Sequence, residues 1–140
     1  MLKKLASLLF IFVLALPLQA QQPKKLNASQ IHDAVKKLNF LGTVLYVAAH
    51  PDDENTRLIS YMSNQVKART AYLSLTRGDG GQNLIGPEIR ELLGVIRTQE
   101  LLAARSVDGG EQRFSRANDF GYSKHPEETL DIWDKDQVLS

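Results

Sequence analysis

The chain has 140 residues, which is enough for one small domain. Seventeen Lys and Arg against sixteen Asp and Glu give a net charge of +1, so the composition provides no electrostatic reason to expect nucleic acid or an anionic membrane as a partner. The sequence has no cysteine, which excludes disulfides and thiolate metal sites, and any metal ligands must come from His, Asp and Glu.

Residues 1–20 have the layout of a secretory signal peptide. Lys3 and Lys4 form a basic start, residues 5–16 form an apolar core, and Ala20 ends a plausible cleavage site. We therefore expect export to the periplasm or the extracellular space, with no transmembrane segment after cleavage. An uncleaved anchor is the alternative. Cleavage would leave 15 basic and 16 acidic residues, a net charge of −1.

The first half of the mature chain alternates helical and strand-like segments. Residues 21–40 form a polar lead-in with a short helix near residues 29–37. Residues 43–49 (TVLYVAA) are continuously apolar, which predicts a strand buried on both faces. Apolar residues at helical spacing predict a helix over 56–67, and residues 69–75 (RTAYLSL) predict a second strand.

A glycine-rich loop, residues 76–87 (TRGDGGQNLIGP), precedes a second predicted helix. Pro87 is expected to open this helix, which should end near Gly109 and Gly110. A third short strand is expected near 112–115 and another helix over 127–139. The second helix has an apolar stripe formed by Ile89, Leu92, Leu93, Ile96 and Ala103.

The β-α-β-α-β order predicts an α/β fold, a Rossmann-like parallel sheet with flanking helices and right-handed crossovers. Ligands of such folds bind beyond the carboxyl ends of the strands. That edge is where the sequence places several charged residues, namely His50, Asp52, Asp53, Arg77, Asp79 and Asp119.

The segment A-H-P-D-D-E, residues 49–54, has donors suited to a metal ion. His50 and Asp53 could converge on one ion, and imidazole with carboxylate suits zinc. Asp52, not bound to the metal, could then act as a general base. A solvated turn in which Asp53 or Glu54 caps the next helix is the alternative, and the spacing by itself leaves both open.

Residues 41–123 resemble the PIG-L/LmbE family of N-acetylglucosamine deacetylases. The resemblance rests on AHPDDE, on LTRGDGGQN as a T-x-G-[DE]-x-G segment, on LGVIRTQELLAA as an LG-x-x-R-x-x-E-x-x-x-AA helix, and on RANDFGYS. It implies zinc-dependent hydrolysis of an N-acetyl group from an amino sugar or its conjugate. The partner would be an N-acetylated sugar or glycoconjugate, not nucleic acid.

The resemblance also implies residue roles: His50 and Asp53 as zinc ligands, and Asp52 as the general base. It places Asp79, Arg97 and Asp119 near the sugar or in support of the loops that hold it. For these three the sequence leaves bland alternatives open. Arg97 could pair with Glu100 on one helix face, and the two aspartates occur in ordinary turn contexts.

The third zinc ligand of the family, a later histidine, has no counterpart here. His32 precedes the first strand and is expected at the surface, and His125 is expected to be exposed near a helix start. We therefore expect residues 41–140 to be the amino-terminal part of a deacetylase domain, incomplete at its carboxyl end. The third ligand would lie beyond residue 140.

Two other functions fit parts of the pattern. A catalytically inactive carbohydrate-binding module would keep the fold without the chemistry. A nucleotide-binding domain would explain the βαβ order and the glycines. However, G-x-G-x-x-G is missing after the first strand, and the acids there would repel a pyrophosphate.

Overall fold

The computed structural model describes residues 25–140. The signal peptide predicted for residues 1–20 and the start of the polar lead-in lie outside the described residues. By internal contacts the chain divides into Met1–His32 and Asp33–Ser140. Helix α1, Ala28–Lys37, matches the predicted short helix and begins in the first unit. The sheet and the candidate site belong to the second unit.

Three parallel strands form the sheet in the order β1-β2-β3. They are β1, Thr43–Ala48, β2, Arg69–Ser74, and β3, Glu111–Phe114. Tyr46 lies opposite Tyr72, which lies opposite Gln112. With helices connecting the strands, this confirms the predicted α/β class and its parallel sheet.

The first crossover is helix α2, Thr56–Ser60, which continues as a π-helical turn, Tyr61–Gln65. The Asn55 side chain caps α2 by accepting a hydrogen bond from the Leu58 amide at 3.0 Å. Ile59, only 1% exposed, is the residue that α2 contributes to the core. The predicted helix over 56–67 is therefore confirmed, with a wider last turn.

The second crossover is helix α3, Glu91–Asp108, which begins later than predicted. Pro87 does not open it, because the Asn83 side chain accepts hydrogen bonds from the Ile85 and Gly86 amides and keeps this segment irregular. Gly109, with φ of +78°, ends α3 as expected, since glycine adopts a left-handed conformation without steric cost.

The apolar stripe predicted for α3 is largely wrong. Leu93 is buried, but Leu92 is 65% exposed and Ile89 lies before the helix. The side of α3 that faces the protein instead carries a glycine and charged groups. Its buried residues are Leu93, Gly94, Leu101, Arg105 and Asp108. Charged residues therefore occupy some of the buried positions that the apolar periodicity assigns to hydrophobic side chains.

Both crossover helices contribute to a core on one face of the sheet. Ile59, Tyr72 and Leu101 form its buried centre, and Tyr46 and Ala48 of β1 pack against it. Right-handed crossovers in a single direction place successive helices on the same face.

The prediction that β1 is buried on both faces is wrong for the described chain. Strand β1 is an edge strand, and side chains alternate between the two faces along it. Tyr46 and Ala48 point to the core, whereas Leu45 and Val47 on the other face are 55% and 52% exposed. The crossover helices cover one face only, so half of the apolar run stays in contact with solvent.

After β3 the chain forms two short helices, α4, Pro126–Ile132, and α5, Lys135–Val138. They replace the single helix predicted over 127–139, because Asp134 adopts a φ of +52° between them. Among the helices of residues 25–140, none combines the length and hydrophobicity that a membrane span requires.

An ion pair between β2 and β3 allows the pairing of these two strands to be tested. Arg69 donates to both carboxylate oxygens of Glu111, at 2.8 and 3.1 Å, and Arg113 donates to the same carboxylate at 2.6 Å. Hydrogen bonds from Arg69 and Arg113 lower the pKa of Glu111 to about 2. The charged carboxylate therefore stabilises the folded state above its ordinary pKa, and this stabilisation is lost as the pH falls towards 2.

We expect Glu111→Gln to lower the midpoint of thermal unfolding at pH 7. The difference between variant and wild type should shrink steadily between pH 4.5 and pH 2, because the wild-type carboxylate becomes neutral there. Circular dichroism melts across this pH range would measure the effect. A difference that is independent of pH would show that the ion pair is not its source.

Candidate active site

The turn after β1 is closed by hydrogen bonds between His50 and Asp53. The Asp53 carboxylate accepts from the His50 amide at 2.9 Å and lies 3.3 Å from the ring Nδ1, while the Asp53 amide donates to the His50 carbonyl at 3.3 Å. Pro51, which is buried, restricts the backbone between them. These contacts bring the two predicted metal ligands onto one side of the turn.

Asp119 reaches the same imidazole from the segment after β3. Its Oδ1 lies 3.2 Å from Nε2 of His50, and its other oxygen accepts from the Gly80 amide at 3.0 Å. The Asp119 side chain is 3% exposed, whereas that of His50 is 47% exposed. His50 therefore lies between two carboxylates, one on each ring nitrogen.

Asp52 extends from the turn in an unusual backbone conformation. Its φ is +86°, a left-handed conformation that is rare outside glycine, and its side chain is 72% exposed. Arg97 of α3 donates to the Asp52 carboxylate at 2.8 Å and to the Pro51 carbonyl at 3.1 Å. Such strain at a single polar residue is typical of functional sites.

Arg97 forms the helix-face pair that the sequence left open as one alternative, whereas its contact with substrate stays a prediction. It donates to Glu100 at 2.9 Å, as a pair on one helix face, and it also contacts Asp52 and lines the cleft described below. Asp79, by contrast, does not line that cleft. Its carboxylate accepts from Arg77 at 2.9 Å and packs directly against Gly94 of α3.

A cleft of about 490 Å³ opens in front of these residues, at the carboxyl edge of the sheet. One part of its wall carries charged and polar groups, and the rest is formed by glycines and apolar side chains. The polar residues are His50, Asp52, Gln82, Asn83, Arg97, Glu100 and Asp119, and the apolar ones include Leu84, Ile85, Leu93, Ile96 and Phe120. This combination suits a small polar ligand with some apolar surface.

A buried ion-pair network beneath the turn was missed by the sequence analysis. Arg105 donates to Glu54 at 3.1 Å and lies 2.7 Å from Asp108, and all three side chains are at most 8% exposed. Glu54 therefore has a structural role, as an acid near a helix start would have. Its partner is Arg105 and not the helix itself. The four-residue spacing of Arg105 after Leu101 within α3 was the available signal, because it puts a charge on the buried side.

Tyr72 connects this network to His50. Its hydroxyl donates to the His50 carbonyl, and the Arg105 guanidinium lies 5.5 Å from the centre of its ring. Burial, together with the negative charges of Glu54 and Asp53, raises the pKa of Tyr72 to about 12. The tyrosine therefore stays a neutral hydrogen-bond donor under the turn.

His50 and Asp53 are spaced as two ligands of one zinc ion would be. Two ligands of tetrahedral zinc at ~2.0 Å from the ion lie ~3.3 Å apart, and His50 Nδ1 and Asp53 Oδ2 are 3.3 Å apart. Within the described part of the chain, no group of three or more His, Asp and Glu side chains is arranged to hold a metal. His32 and His125 are both exposed, as expected. The residues present thus fit two positions of a zinc site.

The fold and the cleft define the class: an α/β protein with a histidine and carboxylate site at the carboxyl edge of a parallel sheet. A sequence model of the PIG-L family, described as GlcNAc-PI de-N-acetylase, matches residues 45–139. The chain therefore belongs to the PIG-L family, as the sequence resemblance implied. Comparison with curated proteins gave no match.

Membership gives the coarse function. The PIG-L family implies deacetylase activity, is generally metal-dependent and acts on GlcNAc-type substrates. The roles of individual residues in this chain stay predictions.

Gly80 permits the approach of the segment that carries Asp119. A Cβ at Gly80 would lie 2.6 Å from the Phe120 amide nitrogen, so Gly80→Ala must displace that backbone. We expect a loss of about 1–3 kcal/mol in the free energy of unfolding, and a changed environment of the His50 imidazole. Denaturant unfolding and histidine NMR spectra would measure both effects.

Gly121→Ala is the matched control, because a Cβ there would have nothing within 4 Å. It should change the free energy of unfolding by no more than ~0.5 kcal/mol. Equal effects of the two substitutions would contradict the close approach at Gly80.

Tyr72 should ionise late, because burial raises its pKa to about 12. In an alkaline titration followed at 295 nm, one tyrosine should remain neutral until near pH 12, and Tyr72→Phe should remove that phase. Folding stability should fall as the pH rises from 10 to 12, because the unfolded tyrosine ionises first. Persistence of the late phase in the variant would assign it to another residue.

Proposed function

We propose that this protein is a zinc-dependent deacetylase that hydrolyses the N-acetyl group of an amino sugar or its conjugate. The observation that supports this most is the position of Asp52. Its carboxylate lines the cleft, is paired with Arg97, and follows directly from the turn that brings His50 and Asp53 together. A base beside a metal site and open to a polar cleft is an arrangement suited to metal-dependent amide hydrolysis.

His50 and Asp53 would hold the zinc ion at two of its positions. When bound, zinc lowers the pKa of water and polarises a carbonyl oxygen. The second ring nitrogen of His50 faces Asp119, and a carboxylate there fixes the tautomer and orientation of a metal-binding histidine.

Asp52 would remove a proton from the water that attacks the acetamide carbonyl. The Arg97 guanidinium donates to the Asp52 carboxylate at 2.8 Å and would hold it beside the cleft. As the carbon–nitrogen bond breaks, the proton that Asp52 took from the water would pass to the nitrogen, which releases the free amine and acetic acid, the latter ionised to acetate. Arg97 and the other polar groups of the cleft would hold the sugar hydroxyls. Asp79 would support the glycine-rich loop from outside the cleft, where its carboxylate packs against Gly94 of α3.

The proposal includes export, because residues 1–20 have the layout of a signal peptide. The substrate would then be an N-acetylated sugar or glycoconjugate of the periplasm or the extracellular space.

Asp52→Asn should lower the turnover of an N-acetylglucosamine conjugate by about 10²–10⁴-fold, because the amide cannot accept the proton. Bound zinc, measured by elemental analysis, should stay at the wild-type level. Release of free amine can be followed by a fluorogenic amine reagent. Wild-type turnover in this variant would remove Asp52 from the role of base.

His50→Ala should abolish both zinc binding and turnover. His125→Ala is the matched control, since His125 is exposed at the start of α4 and should leave both unchanged. A wild-type protein that binds the sugar conjugate without releasing amine would instead be a carbohydrate-binding module.

A further inference from the structure

We infer that Glu54, held by Arg105, is a positioning residue that fixes Asp52 in its left-handed backbone conformation. The catalytic consequence of this inference rests on the proposed role of Asp52 as the base. The positioning itself is a statement about the folded chain and does not depend on metal or substrate.

The first argument is the contact between Glu54 and Asp52. The Glu54 Oε2 atom accepts a hydrogen bond from the Asp52 amide at 3.0 Å. A residue other than glycine keeps a positive φ only where its surroundings hold it there, so the conformation of Asp52 needs restraints, such as an acceptor that fixes its amide. Glu54 provides that acceptor from within the same turn.

The second argument is that Glu54 is itself immobilised. Its other oxygen accepts from Arg105 at 3.1 Å, and the two side chains are 5% and 4% exposed. Arg105 is fixed in turn by Asp108, at 2.7 Å, and by the side-chain oxygen of Gln112, at 3.2 Å. A carboxylate clamped in this way can hold an amide at a defined place.

The third argument is the contrast in exposure between Asp52 and its support. The Asp52 side chain is 72% exposed and accepts a hydrogen bond from Arg97, whereas the Glu54 side chain is 5% exposed. The Arg105 guanidinium lies 5.5 Å from the centre of the Tyr72 ring, and the Tyr72 hydroxyl donates to the His50 carbonyl. Arg105 therefore supports both ends of the segment from His50 to Asp52.

The experiment compares three variants of the full chain: Glu54→Leu, Glu54→Gln and Asp108→Asn. Leucine removes the acceptor, and glutamine keeps an oxygen for the Asp52 amide. Asp108→Asn is the matched control, because it disturbs another partner of the same guanidinium and leaves the Glu54 acceptor in place. Arg105 keeps at least one partner in every variant, which favours folding.

The first readout is the solvent-exchange rate of the Asp52 amide proton, measured by NMR without metal or substrate. We expect Glu54→Leu to accelerate exchange about tenfold, since the amide loses its acceptor. Glu54→Gln and Asp108→Asn should stay close to wild type. Wild-type exchange in Glu54→Leu would overturn the inference.

The second readout is catalysis. Glu54→Leu should lower kcat by about 10–100-fold, the effect of a displaced catalytic group, with KM and zinc content unchanged. Glu54→Gln should restore most of kcat, and Asp108→Asn should lower the unfolding temperature without lowering kcat. Equal losses of kcat in Glu54→Leu and Asp108→Asn would reduce Glu54 to a stability role. A wild-type protein that holds zinc but releases no amine would refute the proposed function, while the exchange rates would still decide the positioning.

Discussion

The turn after β1 depends on a separate partner for each of three consecutive carboxylates. Asp52 pairs with Arg97, Asp53 accepts from the His50 amide and faces its ring, and Glu54 pairs with Arg105. Adjacent negative charges beside an apolar strand would otherwise repel each other and disfavour ionisation. Because the partners lie in different directions, the three side chains point to the cleft, to the imidazole and to the protein interior.

The parallel sheet brings these partners together. All three strands end at the same edge, so the turn after β1, the glycine loop after β2 and the segment after β3 converge there. Gly80 allows the last two to meet, which lets Asp119 reach His50. A site made from three loops depends on the register of the strands, because a shift of one residue would reverse their faces.

Helix α3 contributes to the site through two arginines that lie about two turns apart on one side. Arg97 approaches the exposed carboxylate of Asp52, and Arg105 holds the buried Glu54 beneath it. Removal of one partner from a buried ion pair typically lowers the free energy of unfolding by about 3–5 kcal/mol. The Arg105–Glu54 pair therefore makes the fold sensitive to substitution. Its value to the protein is the fixed orientation of the turn, and this explains why charge occupies positions of α3 that periodicity assigns to the core.

The sequence by itself determined the element order, the parallel α/β class and the family, because apolar periodicity and the AHPDDE segment are local signals. It also determined that His50, Asp52 and Asp53 would follow a strand end, where ligands of such sheets bind. It misjudged the burial of β1 and the start and stripe of α3, since edge position and side-chain caps are not visible in periodicity.

Only the tertiary structure decided which charges meet. Arg105 and Glu54 are far apart in the chain, and so are His50 and Asp119, so no spacing rule connects them. The conformation of Asp52 belongs to the same category, because a positive φ in a residue other than glycine is maintained by its surroundings. Local sequence thus specified the chemistry available at the sheet edge, and long-range packing specified its geometry.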